Sequence, residues 1–175
     1  TRKVTAYNGR ETAPAAATDA LFLDETGKPL PFVTALMSGR SSGVPGAVAM
    51  LSLAQSQHGK PAWNSLFGDA EKLADDGFTV SPRLARMIVG RFPQASAPDA
   101  VAYFTNPDGT RMKAGDTLKN PAYAATVRKI AAEGPRAILE GPVAAAIVTR
   151  LQQGERPGAM TLADLAAYKP KVTAA

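Results

Sequence analysis

Tyr7-Asn8-Gly9-Arg10-Glu11-Thr12-Ala13-Pro14 is the stretch on which the reading of this chain turns. It continues the β-prone run Val4-Thr5-Ala6-Tyr7, so it reads as a strand end passing into a turn. Asn8-Gly9 predicts backbone at positive φ. Thr12 predicts the N-cap of a helix whose early Pro14 gives up an N–H it does not need. The turn holds one guanidinium, Arg10, between strand end and helix start. A planar, permanently charged fork in such a place is suited to gripping a carboxylate. The same residues also read as a plain surface turn with a local Arg10–Glu11 pair, because exposed charges on loops are common.

Outward from the octet, residues 13–23 predict a short helix, Asp24 to Pro29 a turn, and residues 30–37 a short extended segment. Ser38-Gly39-Arg40-Ser41-Ser42-Gly43-Val44-Pro45-Gly46 is a Gly/Ser loop opening a helix that runs from about residue 45 to a left-handed cap at Gly59. It lacks Gly-Lys-Ser/Thr and Gly-x-Gly-x-x-Gly, so it reads as a structural turn, not a phosphate loop. Pro61 predicts another helix, ended by Gly77, with Trp63, Leu66, Phe67, Ala70, Leu73 and Ala74 on one apolar face. Ser81-Pro82 caps a third, with Leu84, Ala85, Ile88 and Val89 inward and Arg83, Arg86 and Arg91 outward.

Val101–Phe104 and the turn Asn106-Pro107-Asp108-Gly109 predict a small hairpin. Helices are predicted from Pro121 to Ala132 with a stop at Gly134, after Pro135, from Pro142 to Gln152, and after Thr161, which with Asp164 forms a variant capping box. These helical segments and two or three short strands, without repeat or linker, predict one mostly helical α+β unit over residues 1–175.

Composition narrows the function classes. The 175 residues are 45% apolar and 20% charged, as in a globular protein. No apolar run approaches the ~20 residues that span a bilayer, and Thr1-Arg2-Lys3-Val4 does not open a signal-peptide pattern. The net charge is +5, yet the basic residues are scattered and aromatics are 6%, which argues against a nucleic-acid groove. Cysteine is absent, which excludes disulfides and thiolate metal sites. His58 is the sole histidine, so neither a histidine metal cluster nor a Ser–His triad is expected; its place before Gly59 suits a helix C-terminus.

Asn8-Gly9-Arg10-Glu11-Thr12-Ala13-Pro14 with Ala15-Ala16-Ala17-Thr18 closely resembles the gamma-glutamyltranspeptidase family of N-terminal-nucleophile hydrolases, whose motif reads Asp-x-Arg-Glu-x-Ala-Pro. Asn8 stands where many members have Asp. Further stretches resemble the family in order along the chain: Ser38 to Val48, Ala74 to Val80, Lys113 to Leu118, Gly134 to Gly141 and Met160 to Tyr168.

The resemblance implies a helix-rich portion of a four-layer αββα sandwich, the middle of the family's large subunit, with the small catalytic subunit cut from the same precursor. It implies transfer of a γ-glutamyl group from glutathione or similar compounds to water, amino acids or peptides. Arg10 is then the ligand of the substrate α-carboxylate, with Glu11 and Thr12 as supporting residues, and no cofactor or metal is needed. The compartment implied is periplasmic or extracellular.

The family's nucleophile is a Thr at the small subunit's new N-terminus, with its free amine as base, in a Thr-Thr-His context. No such segment lies in these residues, so the chain alone is expected to be inactive. Thr1 does not fit the role, because it precedes the Arg motif and is followed by Arg2-Lys3. Two alternatives stay open: a glutaryl or cephalosporin acylase of the same superfamily, and a non-catalytic helical interaction module.

Overall fold

In the computed structural model, residues 4–90 and 92–174 are described. Thr1, and Arg91 with its expected outward direction, lie outside them. The first strand, β1 (Thr5–Asn8), pairs antiparallel with the last, β4 (Lys171–Ala174), in the register Tyr7 opposite Val172 and Asn8 opposite Lys171. These two strands thereby meet beside the Arg10 turn. Between these strands the described residues form nine α-helices and one further strand pair. The class is α+β, helix-rich with few short strands.

The chain divides into two compact units, Thr1–Phe67 with Arg128–Ala175, and Gly68–Val127. The first unit holds α1 (Phe32–Leu36), and its α2 (Ala47–His58), α7 (Arg136–Leu139), α8 (Gly141–Leu151) and α9 (Leu162–Ala167) surround a core of Val44, Ala49, Leu139, Ala144, Met160 and Leu165. Ile138, Ile147, Val148, Leu151 and Tyr168 pack against it. The second unit holds α3 (Gly68–Asp76), α4 (Pro82–Ile88), α5 (Pro98–Tyr103) and the ribbon of β2 (Phe78–Thr79) with β3 (Thr117–Leu118). Its core is Val80, Ile88, Met112 and Leu118. Helix α6 (Pro121–Glu133) contributes residues to both units.

Punctuation by Pro and Gly works well for the later helices. Ser81 caps α4 through the Leu84 N–H at 3.2 Å, and α6 ends at Gly134 with φ of 67°. At α9 the capping box forms, with Thr161 Oγ accepting from Asp164 N–H at 3.2 Å.

Several expectations are corrected. Residues 13–23 form successive turns rather than a helix. The Thr12 N–H and C=O are both taken by Val44, at 3.3 and 2.8 Å, and the Ala15 N–H goes to the Asp164 carboxylate at 2.8 Å. These tertiary partners hold Thr12 in a β-bridge, so it caps nothing. Residues 30–37, expected to be extended, contain α1, which starts after an extended Pro31.

Gly59 is an extended cap with φ of −73°, not a left-handed one. The helix expected from Pro61 breaks into a 3-10 turn over Trp63–Leu66 and then α3. Here Trp63 Nε1 donates to the Ile130 carbonyl at 2.9 Å and meets Phe67 edge-on at 4.8 Å, which holds the turn out of α phase. The apolar face is accordingly discontinuous: Ala74 is buried, while Leu66 and Leu73 are about half exposed.

Lastly, Val101–Phe104 lies in and after α5, not in a hairpin strand. Across the turn the pairing is minimal, a single antiparallel bridge of Thr105 with Arg111 and a Met112 N–H to Phe104 carbonyl bond of 3.0 Å, while the Arg111 side chain donates to the carbonyls of Val101 (2.7 Å), Ile88 (3.0 Å) and Ala95 (3.3 Å). The Asn106–Thr110 turn itself forms as expected, with an Asn106 N–H to Thr110 carbonyl bond of 2.8 Å. In α4, Leu84, Ala85 and Ile88 face the core, but Val89 falls past the helix end and is exposed.

Candidate functional site

Arg10 stands just beyond β1, and its backbone is held on both sides. The Asn8 Oδ1 accepts the Arg10 N–H at 2.8 Å, a local turn that an aspartate at this position would make equally well. On the other side, the Tyr168 hydroxyl donates to the Arg10 carbonyl at 2.9 Å. Tyr168 follows directly on α9, whose Leu165 is fully buried.

The first turn of α9 makes a second tie. Asp164 Oδ1 accepts the Ala15 N–H, while Oδ2 accepts from Thr161 N–H and Oγ at 2.8 and 2.7 Å. These donors, the Ala15 amide first, hold the Asp164 carboxyl below the ordinary carboxylate value. One short helix and the residue after it therefore grip the segment at the Arg10 carbonyl and again at Ala15.

Two glycines make the close approach possible. A Cβ at Gly46 would overlap the Tyr168 hydroxyl and ring and come 2.6 Å from the Gly9 carbonyl oxygen. A Cβ at Gly9 would run into the Met50 side chain. Neither glycine has positive φ. The expected role of Asn8-Gly9, left-handed backbone, is thus replaced by a need for space.

The Arg10 side chain is 79% exposed. Its Nε bonds the Glu11 carboxylate at 3.1 Å, and among the described residues its Nη end makes no hydrogen bond. Glu11 in turn lies against Gly43, where a Cβ would sit 2.7 Å from the Glu11 Cγ. Thr12 contributes backbone, through its bridge to the buried Val44.

Asn8, Arg10, Glu11, Thr12, Tyr168, Lys169 and Lys171 line a cavity of about 180 Å³. Three cations face one carboxylate around it, so the mouth favours an anion. Its size fits a small charged head group, and the open Nη edge of Arg10 can take a carboxylate through two parallel bonds. Arg10, Glu11 and Thr12 are brought together as the sequence suggests. Tyr168, Lys169 and Lys171 were not foreseen from the residues, because the contact spans the whole chain; the aromatic side chain just past a capped apolar helix was the available signal.

His58 ends α2 as expected, and its Nε2 lies 2.7 Å from the Tyr7 hydroxyl, which also bonds Gln57 Oε1. Among the described residues no His, Cys, Asp or Glu group of three or more could hold a metal ion, and no helix is long and apolar enough to cross a membrane.

With this geometry in place, comparison with known proteins is informative. The family model described as Gamma-glutamyltranspeptidase matches residues 1–175. The chain is 38% identical over 167 residues to the glutathione hydrolase proenzyme of Escherichia coli (strain K12), covering 94% of this chain and 28% of that protein. The crystal structure of Helicobacter pylori gamma-glutamyltranspeptidase superposes with a TM-score of 0.83 at 27% identity, over 97% of this chain and 51% of that one. The cephalosporin acylase of Bacillus halodurans shares the fold, with a TM-score of 0.69 at 23% identity, over 98% of this chain and 32% of that one. The αββα architecture expected from the sequence is that of these neighbours.

Proposed function

The chain belongs to the gamma-glutamyltranspeptidase family, and from that membership we propose that it forms part of the large subunit of an enzyme that transfers γ-glutamyl groups to water, amino acids or peptides. In this reading a threonine outside the chain attacks the γ-amide carbonyl, with its free amine as base. Backbone donors then hold the oxyanion, and the acceptor resolves the resulting γ-glutamyl ester. The part played by this chain is to hold the substrate: Arg10 receives the α-carboxylate, Glu11 steadies the guanidinium through Nε, and Thr12 fixes the turn to Val44. No cofactor is required, the small subunit from the same precursor is the partner, and the compartment is periplasmic or extracellular.

The observation that carries this reading is the arrangement at Arg10. Its main chain is held at N–H and C=O, while the Nη end is open at the mouth of a cationic cavity. The test is Arg10→Lys in the full-length protein, assayed with a chromogenic γ-glutamyl amide. Lysine keeps the charge and loses the fork. Loss of one charge-assisted bond predicts roughly a 10- to 150-fold fall in kcat/KM. An analogue without the α-carboxylate should be a poor substrate for wild type and lose little more in the variant. Equal proportional losses on both substrates would return Arg10 to the role of a turn residue. The fold shared with the acylase keeps glutaryl-β-lactam cleavage as the competing reading. Faster turnover of a substrate without the α-amino group would favour it.

A further inference from the structure

We propose that Tyr168 is the positioning residue of this site: its hydroxyl sets where Arg10 stands, and so tunes affinity for carboxylate-bearing substrates. The inference rests on the reading of Arg10 as the carboxylate ligand. Among the described residues the side chain of Arg10 hydrogen-bonds only to the neighbouring Glu11, so its fork takes its position from its own backbone. Of the two bonds on that backbone, the one from Asn8 is local and travels with the turn. The one from Tyr168 crosses 158 residues of sequence and ties the turn to the core.

The tyrosine ring and its hydroxyl do separable jobs. The ring packs against the core cluster of Val44, Met160 and Leu165, a task that phenylalanine would perform as well. The hydroxyl lies over Gly46, where any side chain would displace it, and is aimed at one acceptor, the Arg10 carbonyl. The fold needs the ring. The hydroxyl adds a fixed distance between α9 and the residue that meets the substrate. Displacement of a binding group by about an ångström is costly to a bidentate contact, so a hydroxyl that sets this distance acts on affinity rather than on stability.

The experiment is Tyr168→Phe in the full-length, processed protein, with Arg10→Lys made alongside and both tested on a γ-glutamyl amide and on its analogue lacking the α-carboxylate. One neutral hydrogen bond corresponds to roughly a 2- to 12-fold change. KM for the carboxylate substrate should rise by that factor with kcat held, and the analogue should be unaffected. In an Arg10→Ala background the further effect of Tyr168→Phe should vanish. Should Tyr168→Phe lower stability or processing, the selectivity of the enzyme that does mature still decides: equal KM changes on both substrates, or none, overturn the proposal. If Arg10→Lys shows no carboxylate selectivity, the reading of Arg10 falls; if it does and Tyr168→Phe does not, only the role of Tyr168 falls.

Discussion

Asp164→Asn is a near-isosteric change at the point where α9 holds the Arg10 segment. The carboxylate accepts three hydrogen bonds, from Ala15 N–H at 2.8 Å, Thr161 N–H at 2.8 Å and Thr161 Oγ at 2.7 Å. An amide has one acceptor oxygen. If that oxygen faces Ala15, the NH2 group opposes the Thr161 N–H; if it faces Thr161, the NH2 opposes Ala15. At least one bond to a charged acceptor is lost in either rotamer. The site is solvent-accessible, so water replaces part of the loss, and a cost of about 1–2 kcal/mol is expected at pH 7.

The pH dependence adds a second, independent mark. The folded pKa of Asp164 is depressed, first by the Ala15 amide and then by Thr161, below its ordinary 3.8. A depressed carboxylate stabilises the fold above its unfolded pKa, and the contribution is lost as pH falls through the folded value. Asparagine does not titrate there, so the gap between the two proteins should be full at pH 7 and close in acid. Urea titration of the full-length protein and of the variant at pH 7 and pH 2.5 measures both limbs. No gap at pH 7, or one of equal size at both pH values, would refute the reasoning.

Two further changes probe the same logic elsewhere. Gly46→Ala should reduce stability and raise KM together, because its Cβ overlaps Tyr168 and meets the Gly9 carbonyl oxygen at 2.6 Å; a variant with unchanged thermal midpoint and kinetics would contradict this. Ser81→Ala should cost about 1 kcal/mol through the lost cap at the Leu84 N–H, and leave KM unchanged because the effect is confined to the second unit; urea titration and steady-state kinetics check the two parts.

The sequence was most legible where a residue acts on its near neighbours. Thr161 and Asp164, Ser81 and Pro82, and Gly134 each announce a helix end within four residues, and each does so in the structure. The family was legible for a related reason, since its motifs are contiguous and Arg10 sits inside one of them. It failed where distant partners outcompete local preference. The alanine-rich run after Pro14 has the composition of a helix, but Asp164 claims the Ala15 N–H from 149 residues away, and Val44 claims the backbone of Thr12 just before the run. Arg111 likewise bonds the Val101 carbonyl of α5 where a strand was expected, and Trp63 reaches the distant Ile130 carbonyl where the expected long helix is broken. Gly9 and Gly46 show the subtler case, in which a glycine is placed correctly in the turn but for a steric reason that only the packed Met50 and Tyr168 reveal. Tyr168 itself was visible as an aromatic residue after α9, yet nothing near it in sequence points to Arg10.

The last expectation concerns the chain taken alone. Ala49, Ala74, Ala124, Ala137 and Ala144 are among its buried apolar residues, and among the described residues no aromatic ring is buried with them. Meanwhile Phe32, Val33, Leu51, Leu73, Val89 and Phe92 are each more than half exposed. The accessible surface is 11657 Å² for a mass of 18.2 kDa. A monomer of that mass exposes roughly 8,100 Å², and two independent bodies with the lengths of the two units would together expose roughly 9,700 Å². About 2,000 Å² is therefore in surplus even on the more generous count, which is the area one partner contributes to a large obligate interface. Both strand pairs have open edges besides, since each is only two strands wide. The 175-residue chain produced by itself should accordingly bind an apolar-surface dye and unfold without a sharp thermal transition, and the full-length protein should do neither. A cooperative melt of the isolated chain, monomeric by sedimentation and dark to the dye, would show that its small core suffices and that the exposed apolar residues need no cover.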